Sequence, residues 1–385
     1  MIWVFWTATA VIAYAYAGYF GWLRLRALWR PWPTQRGFVT PAVSIVMVVR
    51  NEAAVLRAKL DNLLALDYPG ELCQVVVVSD GSTDETEKIL HEAGHDPRVQ
   101  VILNQLPQGK ACGLNDGVSL AHGEIIVFTD ARQRIEEKAL RLLVENFADP
   151  QVGAVSGELM LGNQEQGETN RGMGLYWRVE KRVRELEAAT GSVVGATGAL
   201  YAVRRELVPE VPAETILDDV YIPMDVARQG YRVVFDGRAR AWDSADLGAG
   251  REFRRKVRTL MGNYQLLQLA PGMLRSANPL RFEFVSHKLV RLVVPFAMLA
   301  IFLASWFVPG AFYRVAFWLQ VCGYVLSLLG WTGWNLGPLS RLADAACTLV
   351  VLNAAAVVAF ANFVTGQKAE WIKTPSSSVR KEMRA

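Results

Sequence analysis

The strongest constraint on this chain is where charge is absent. Residues 1–23, Met1 to Leu23, hold no Asp, Glu, Lys or Arg. A helix of that length reaches roughly 35 Å at 1.5 Å per residue, more than the ~30 Å hydrocarbon core of a bilayer. Three more charge-free runs, Leu292–Tyr313, Val315–Ser340 and Ala345–Gln367, lie near the other end, broken only by Arg314 and by Arg341 with Asp344. Each run is long enough to cross. A secretory signal starts basic and has a shorter apolar run, whereas here Arg24, Arg26, Arg30 and Arg36 follow the apolar stretch. The positive-inside rule then puts the N-terminus outside and residue 24 onward in the cytoplasm. One crossing plus three would leave the C-terminus outside, yet the tail carries Lys368, Lys373, Arg380, Lys381 and Arg384. Either one run is re-entrant or interfacial or the rule fails here; the tail charges favour a cytoplasmic end.

The totals agree with this reading. Apolar residues make up 52% of the chain without counting glycine and charged ones only 20%, above the about 45–50% that soluble domains reach with glycine included. Scarce charge and the lack of low-complexity or heptad tracts exclude disorder and coiled coil. A net charge of +4, from 41 basic and 37 acidic residues, is too small to argue for nucleic acid. Cys73, Cys112, Cys322 and Cys347 form no C-x-x-C pair, which supports neither a zinc site nor a disulfide framework.

The division that follows is an N-terminal transmembrane helix at 1–23, a soluble domain at 38–247, an amphipathic interfacial segment at 248–285, transmembrane helices within 290–367 and a basic tail at 368–385. In the soluble part, strand-length apolar runs (Val43–Val49, Gln74–Ser79, Val99–Leu103, Glu124–Thr129) alternate with helical spacing (Ala53–Leu66, Glu85–Ala93, Ala111–Ala121, Lys138–Phe147). Alternation of this kind implies an α/β domain on a parallel sheet, whose ligands collect beyond the carboxyl ends of the strands.

Those ends carry acids: Arg50-Asn51-Glu52 after the first strand, Asp80-Gly81-Ser82-Thr83-Asp84 after the second and Asp130-Ala131-Arg132 after the fourth. Ser82, Thr83 and Asp84 suit the capping of the next helix. Asp80 and Asp130 sit directly after apolar strands and need a partner, such as a ligand hydroxyl, a base edge or a metal. Neither G-x-G-x-x-G after a strand nor G-x-x-x-x-G-K-[ST] is present, so a bound diphosphate lacks a glycine cradle. A divalent cation held by one or two carboxylates and phosphate oxygens replaces one.

Four blocks in order, 43–52 (VSIVMVVRNE), 78–86 (VSDGSTDET), 109–115 (GKACGLN) and 123–130 (GEIIVFTD), followed by 197–206 (TGALYAVRRE) and 217–223 (LDDVYIP), resemble the family 2 glycosyltransferases of GT-A fold. The resemblance covers roughly residues 40–260, and the flanking apolar runs are similar to those of the membrane-embedded polysaccharide and glycolipid synthases of that family. It implies a Rossmann-like nucleotide-diphospho-sugar domain with one N-terminal and about three C-terminal helices. It also implies transfer of a sugar, with inversion, from a nucleotide-diphosphate donor, most often a uridine one, to a lipid or glycan acceptor. The setting implied is a bacterial plasma membrane with the catalytic domain cytoplasmic. Carried over block by block, Glu52 and Asp80 hold the uridine, Lys110 lies beside the base or diphosphate, and Asp130 binds the Mg2+ or Mn2+ that bridges the pyrophosphate. The acceptor's base comes from an acidic pair at a helix start, assigned here to Asp219 with Asp218 as its neighbour; dipole stabilisation alone also favours acids there.

Two blocks depart from the family pattern. Its D-x-D reads Asp130-Ala131-Arg132 here, so Arg132 either touches the diphosphate or is a solvated charge beside Arg134, Glu136 and Glu137. Its Q-x-x-R-W corresponds to Arg255-Lys256-Val257-Arg258-Thr259, which keeps the cations Arg255 and Arg258 for the diphosphate but loses the tryptophan on which a sugar stacks. Long processive synthesis is therefore not expected. In the same stretch Phe253, Val257, Leu260, Tyr264 and Leu267 form one apolar stripe opposite Arg251, Arg254 and Lys256, the pattern of a helix lying on anionic headgroups. Tyr176, Val179, Val183 and Leu186 are expected to pack on the sheet, and Trp242 to line an acceptor channel or plain core. His91, His95, His122 and His287 share no spacing and are expected to be incidental, with no histidine metal site. Two further readings are a degenerate member that binds nucleotide sugar without turnover, and a synthase that exports its polymer. Four spans are few for such a channel, so the latter requires partners or an oligomer.

Overall fold

The computed structural model describes residues 1–163, 168–169, 174–243, 249–332 and 337–367. The tail cations Lys368, Lys373, Arg380, Lys381 and Arg384 and the side chains of Tyr176 and Arg251 lie outside the described residues. In chain order the elements are α1 (Ile2–Trp29), β1 (Val43–Val49), α2 (Ala53–Leu64), β2 (Cys73–Asp80), α3 (Thr86–Ala93), β3 (Val99–Asn104), α4 (Lys110–Leu120), β4 (Ile125–Phe128), β5 (Arg134–Ile135) and α5 (Ala139–Val144). They continue with β6 (Val152–Asn163), β7 (Glu168–Thr169), α6 (Gly174–Thr190), β8 (Tyr201–Arg204), α7 (Asp218–Arg228), β9 (Arg232–Asp243) and α8 (Ala249–Leu269). The last three are α9 (Arg281–Phe307), α10 (Ala311–Trp331) and α11 (Ser340–Val364).

The strands form one mixed sheet in the order β3-β2-β1-β4-β8-β6-β9-β5, with β7 on the end of β6. β3, β2, β1 and β4 are parallel. Every residue of β1 is buried, as expected for a parallel strand with helices on both faces. Beyond β4 the direction reverses: β8 is antiparallel to both β4 and β6. The GT-A fold expected from the sequence is present, and its four parallel strands aim their carboxyl ends at one edge.

α1, α9, α10 and α11 are the four helices long and apolar enough to cross a bilayer. α9 begins at Arg281, well before the charge-free run at Leu292, because its first turns dock on the soluble domain. The His287 ring lies between two glutamates of α6, with Nδ1 2.8 Å from Glu187 and Nε2 2.9 Å from Glu180. Arg291 donates to Glu180, and the Tyr19 hydroxyl of α1 donates to Glu187. Arg26 of α1 pairs with Glu283. Burial opposes ionisation of Glu180, yet Arg291 and His287 hold its carboxyl well below the usual range. His287 is therefore a structural clasp between domain and membrane helices, not an incidental residue.

Two amphipathic faces also find partners other than those expected. Val183 and Leu186 of α6 pack on Tyr19 and Leu23 of α1 rather than on the sheet. The stripe of α8 meets α11 instead of headgroups: Val257 is buried with Ala355 and Ala359, flanked by Phe253, Leu260 and Tyr264. The small side chains at 355 and 359, one turn apart, allow this close approach. The Tyr264 ring lies 5.7 Å from that of Phe360 and 5.4 Å from that of Phe363.

Replacing His287 with alanine leaves Glu180 and Glu187 facing each other's charge without it. Loss of one partner from a buried ionic cluster costs about 3–5 kcal/mol. His287→Ala is expected to lower the thermal midpoint of the detergent-purified protein sharply. Arg57→Ala, in the exposed Arg57–Glu92 pair, is expected to leave it unchanged.

Candidate active site

The site forms where β1, β2 and β4 end, and the loops there are latched together. Asn51 takes a left-handed φ of 55°, a conformation its short amide side chain tolerates. Its Oδ1 accepts from the Thr83 N–H and hydroxyl, while its own N–H donates to the Ser82 hydroxyl. Ser82 and Thr83 thus latch one loop to the next, and only Asp84 of the expected caps serves helices. One Asp84 oxygen accepts from Thr86 N–H at the start of α3 and the other from Ala53 N–H at the start of α2.

Asp80, expected to hold the uridine, is fully buried. Its carboxylate accepts the N–H groups of Gln108 (2.6 Å) and Gly109 (3.1 Å). Gly109 has φ 98°, a left-handed value that glycine adopts readily, and immediately precedes α4. The partner that the sequence demanded for Asp80 is therefore backbone, and its effect is to aim Lys110.

Lys110 is the centre of the site. Its Nζ lies 3.0 Å from Asp130 Oδ1 and 3.2 Å from Asp218 Oδ1, and its side chain is 18% exposed. Burial opposes the charge, but Asp130, Asp218 and Asp219 together hold the ammonium above its ordinary pKa. Asp218 is buried and also accepts from the Tyr201 hydroxyl at 3.4 Å. Asp219 accepts the Gly198 N–H at 3.2 Å. Burial, then the neighbouring Asp218 charge, push its pKa up to about 6. A Cβ at Gly198 would lie 3.4 Å from Asp219 Oδ2 and 3.7 Å from Asp130 Oδ2, so both carboxylates face one spot. Gly198 and Tyr201 were not among the expected site residues; the signal for them in the sequence is their place in the block 197–206.

The remaining candidates separate. Arg132 is 40% exposed with Nε 3.7 Å from Glu52 Oε1, which places it on the rim of the site rather than in the cluster of Arg134, Glu136 and Glu137. Arg255 is spent on Glu252 (3.0 Å) and Asp243 (3.8 Å). Arg258 instead lines a cavity of about 400 Å3 with Lys110, Thr215, Ile216, Met261 and Phe363. That cavity lies between the loop leading to α7, the helix α8 and the carboxyl end of α11. Trp242, paired with Arg134 where β9 meets β5, donates to Glu136 at 2.7 Å.

A divalent metal fits this donor set in one way. Asp130 is 41% exposed, and Lys110 occupies its Oδ1, which leaves Oδ2 toward the opening. Among the described residues no group of three His, Cys, Asp or Glu is arranged to hold a metal. Mg2+ or Mn2+ held by one carboxylate, with diphosphate oxygens and water completing the shell, is compatible with that.

Residues 44–211 match the family model for Glycosyl transferase family 2. The poly-beta-1,6-N-acetyl-D-glucosamine synthase of Staphylococcus aureus (strain COL) is 23% identical over 229 residues, 58% of this chain and 55% of that protein. The synthase of the same name from Staphylococcus epidermidis is 22% identical over the same length. The chain thus spans about half the length of the curated relatives it matches, 55% of theirs. Among solved structures, the mannosyltransferase PcManGT from Pyrobaculum calidifontis, in complex with GDP-Man and Mn2+, superposes with a TM-score of 0.74 at 22% identity. That match covers 94% of this chain and 99% of the other. The chain thus carries a segment that matches Glycosyl transferase family 2, on a GT-A fold, together with four candidate membrane helices.

If Asp80 aims Lys110 through the loop, Asp80→Ala removes the charged acceptor of the Gln108 and Gly109 N–H groups, and hydrogen bonds to a charged group are worth about 1.5–3 kcal/mol. Hydrogen exchange in the purified protein is expected to accelerate at residues 108–110, with the amides of β1 and β4 retaining their protection.

Proposed function

We propose that this chain is a membrane-bound inverting glycosyltransferase. It moves a sugar from a nucleotide-diphosphate donor, a uridine one by family habit, to a hydroxyl of a lipid or glycan acceptor on the cytoplasmic face. The observation that carries the reading is Asp219, a carboxylate with a pKa near 6 facing the same spot as Asp130.

The chemistry follows from these groups. The acceptor oxygen attacks the anomeric carbon, its proton passes to Asp219, and the bond from that carbon to the diphosphate breaks. An alcohol is a weak nucleophile until its proton is accepted, and a base with a pKa near the working pH accepts it best. Asp218 cannot serve equally, because Lys110 and Tyr201 already hold its oxygens. Lys110 and Arg258 contribute positive charge toward the leaving diphosphate, and Glu52 orients Arg132 on the rim. A metal bound at Asp130 supplies further electrostatic stabilisation of that leaving group. The cavity shared by Lys110 and Arg258 reaches the membrane helices through Phe363, and supports entry of the acceptor from that side. Among the described residues its lining includes no tryptophan or tyrosine on which a long glycan stacks, which favours few additions per encounter.

Detergent-purified protein with a panel of uridine and guanosine diphosphate sugars, candidate lipids and oligosaccharides tests this through nucleoside-diphosphate release. Because the pKa of Asp219 is raised, kcat is expected to climb as pH rises through about 6 and then level off. Asp219→Asn removes the base, a loss of about 10²–10⁴-fold, and flattens that limb. Binding of every donor without turnover would sink the reading in favour of a degenerate binder. A chelator is expected to abolish release and Mn2+ to restore it, with Asp130→Ala requiring more Mn2+ than the parent. Release indifferent to chelator removes the metal from the scheme.

A further inference from the structure

Lys59 occupies a core position. It lies on α2 with Leu56, Leu60 and Leu63, all buried, and is itself 3% exposed. Its ammonium donates to the Thr129 hydroxyl at 2.9 Å and to the Gln133 carbonyl at 2.7 Å. Among the described residues no carboxylate pairs with it. A buried cation without a paired anion is costly to keep, and burial pulls the Lys59 pKa down to about 7 against the nearby Asp130 charge, so a helix that only needed to pack would carry leucine or methionine there.

The two acceptors bracket Asp130, Ala131 and Arg132. Three residues further along α2, Asn62 grips the same segment: its Nδ2 donates to the Ile135 carbonyl and its Oδ1 accepts the Ile135 N–H, at 2.9 and 2.8 Å. From Thr129 the chain of bonds continues to the Ala199 carbonyl at 2.8 Å, on the turn whose Gly198 N–H meets Asp219. From Gln133 it continues through the side-chain amide to Asp243 at 3.0 Å, and Asp243 faces Arg255 of α8. Among the described residues Lys59 is the one side chain bonded to both ends of the turn that presents Asp130 and Arg132.

We infer that Lys59 is a positioning residue for donor binding: it fixes the Asp130–Arg132 turn from behind and sets a buried positive charge beneath the place where the diphosphate binds. The inference rests on the glycosyltransferase reading above. Lysine carries its charge at the end of a flexible stem, so the hydrogen bonds and the charge are separable by substitution.

The test uses the full-length protein in detergent. Lys59→Met keeps the volume and removes both contributions. Donor KM, and the Kd of UDP or GDP measured by calorimetry with Mn2+, are expected to rise about tenfold or more, the scale of one lost charged hydrogen bond. Acceptor KM is expected to stay at the parent value. Lys59→Gln, which still donates, is expected to recover part of the loss. A role in packing alone shifts the melting temperature and leaves the donor KM of the folded fraction unchanged, and that outcome overturns the inference. If neither variant folds, Thr129→Val decides: a raised donor KM supports the inference and an unchanged one overturns it. Failure of the parent protein to turn over any donor is a different result, which sinks the function reading itself.

Discussion

The site depends on one electrostatic balance. Asp130, just beyond the end of β4, meets Asp218 and Asp219 at the start of α7, and among the described residues no group of three His, Cys, Asp or Glu is arranged to hold a metal. Lys110 makes the arrangement tenable, with its ammonium 3.0 Å from Asp130 and 3.2 Å from Asp218. Asp219, the third, has its pKa pushed up by burial and by the Asp218 charge, a rise that Lys110 moderates. Two adjacent aspartates thus sit in different environments: Asp218 is held by Lys110 and Tyr201, Asp219 by the Gly198 N–H.

How Lys110 reaches that point is a matter of backbone. Asp80 draws in the N–H groups of Gln108 and Gly109, and the left-handed Gly109 turns the chain into α4. Asn51, Ser82, Thr83 and Asp84 hold the neighbouring loops by the same kind of bond. Side chains that read as ligand contacts or caps are largely used to hold loops, and the groups left open toward the cavity are few.

What the sequence made legible was whatever is local. The runs at Val43–Val49 and Gln74–Ser79 read as buried parallel strands because both of their faces are covered, and the block order pointed to Lys110, Asp130 and Asp219, which the structure brings together. Partners distant in sequence were not legible. His287 meets Glu187 across 100 positions, and no spacing rule links a histidine on an apolar helix to acids on a soluble one. The stripe of α8 was visible as a stripe, but an apolar face does not declare whether it faces lipid or protein; Ala355 and Ala359 of α11 decided that. Lys59 did leave a signal, a lysine spaced among Leu56, Leu60 and Leu63 on one helix face, which amphipathic reasoning counts as noise.

The carboxyl end of α11 closes a loop. Arg281, at the start of α9, stands beside the soluble domain through the docking of Glu283 and His287, and Gly366 and Gln367 line the cavity that holds Lys110. The run of three apolar helices is thus tied to the soluble domain at both of its ends. A shift of α11 along its own axis would move a wall of the Lys110 cavity, so the apolar helices set the shape of the site as well as its position.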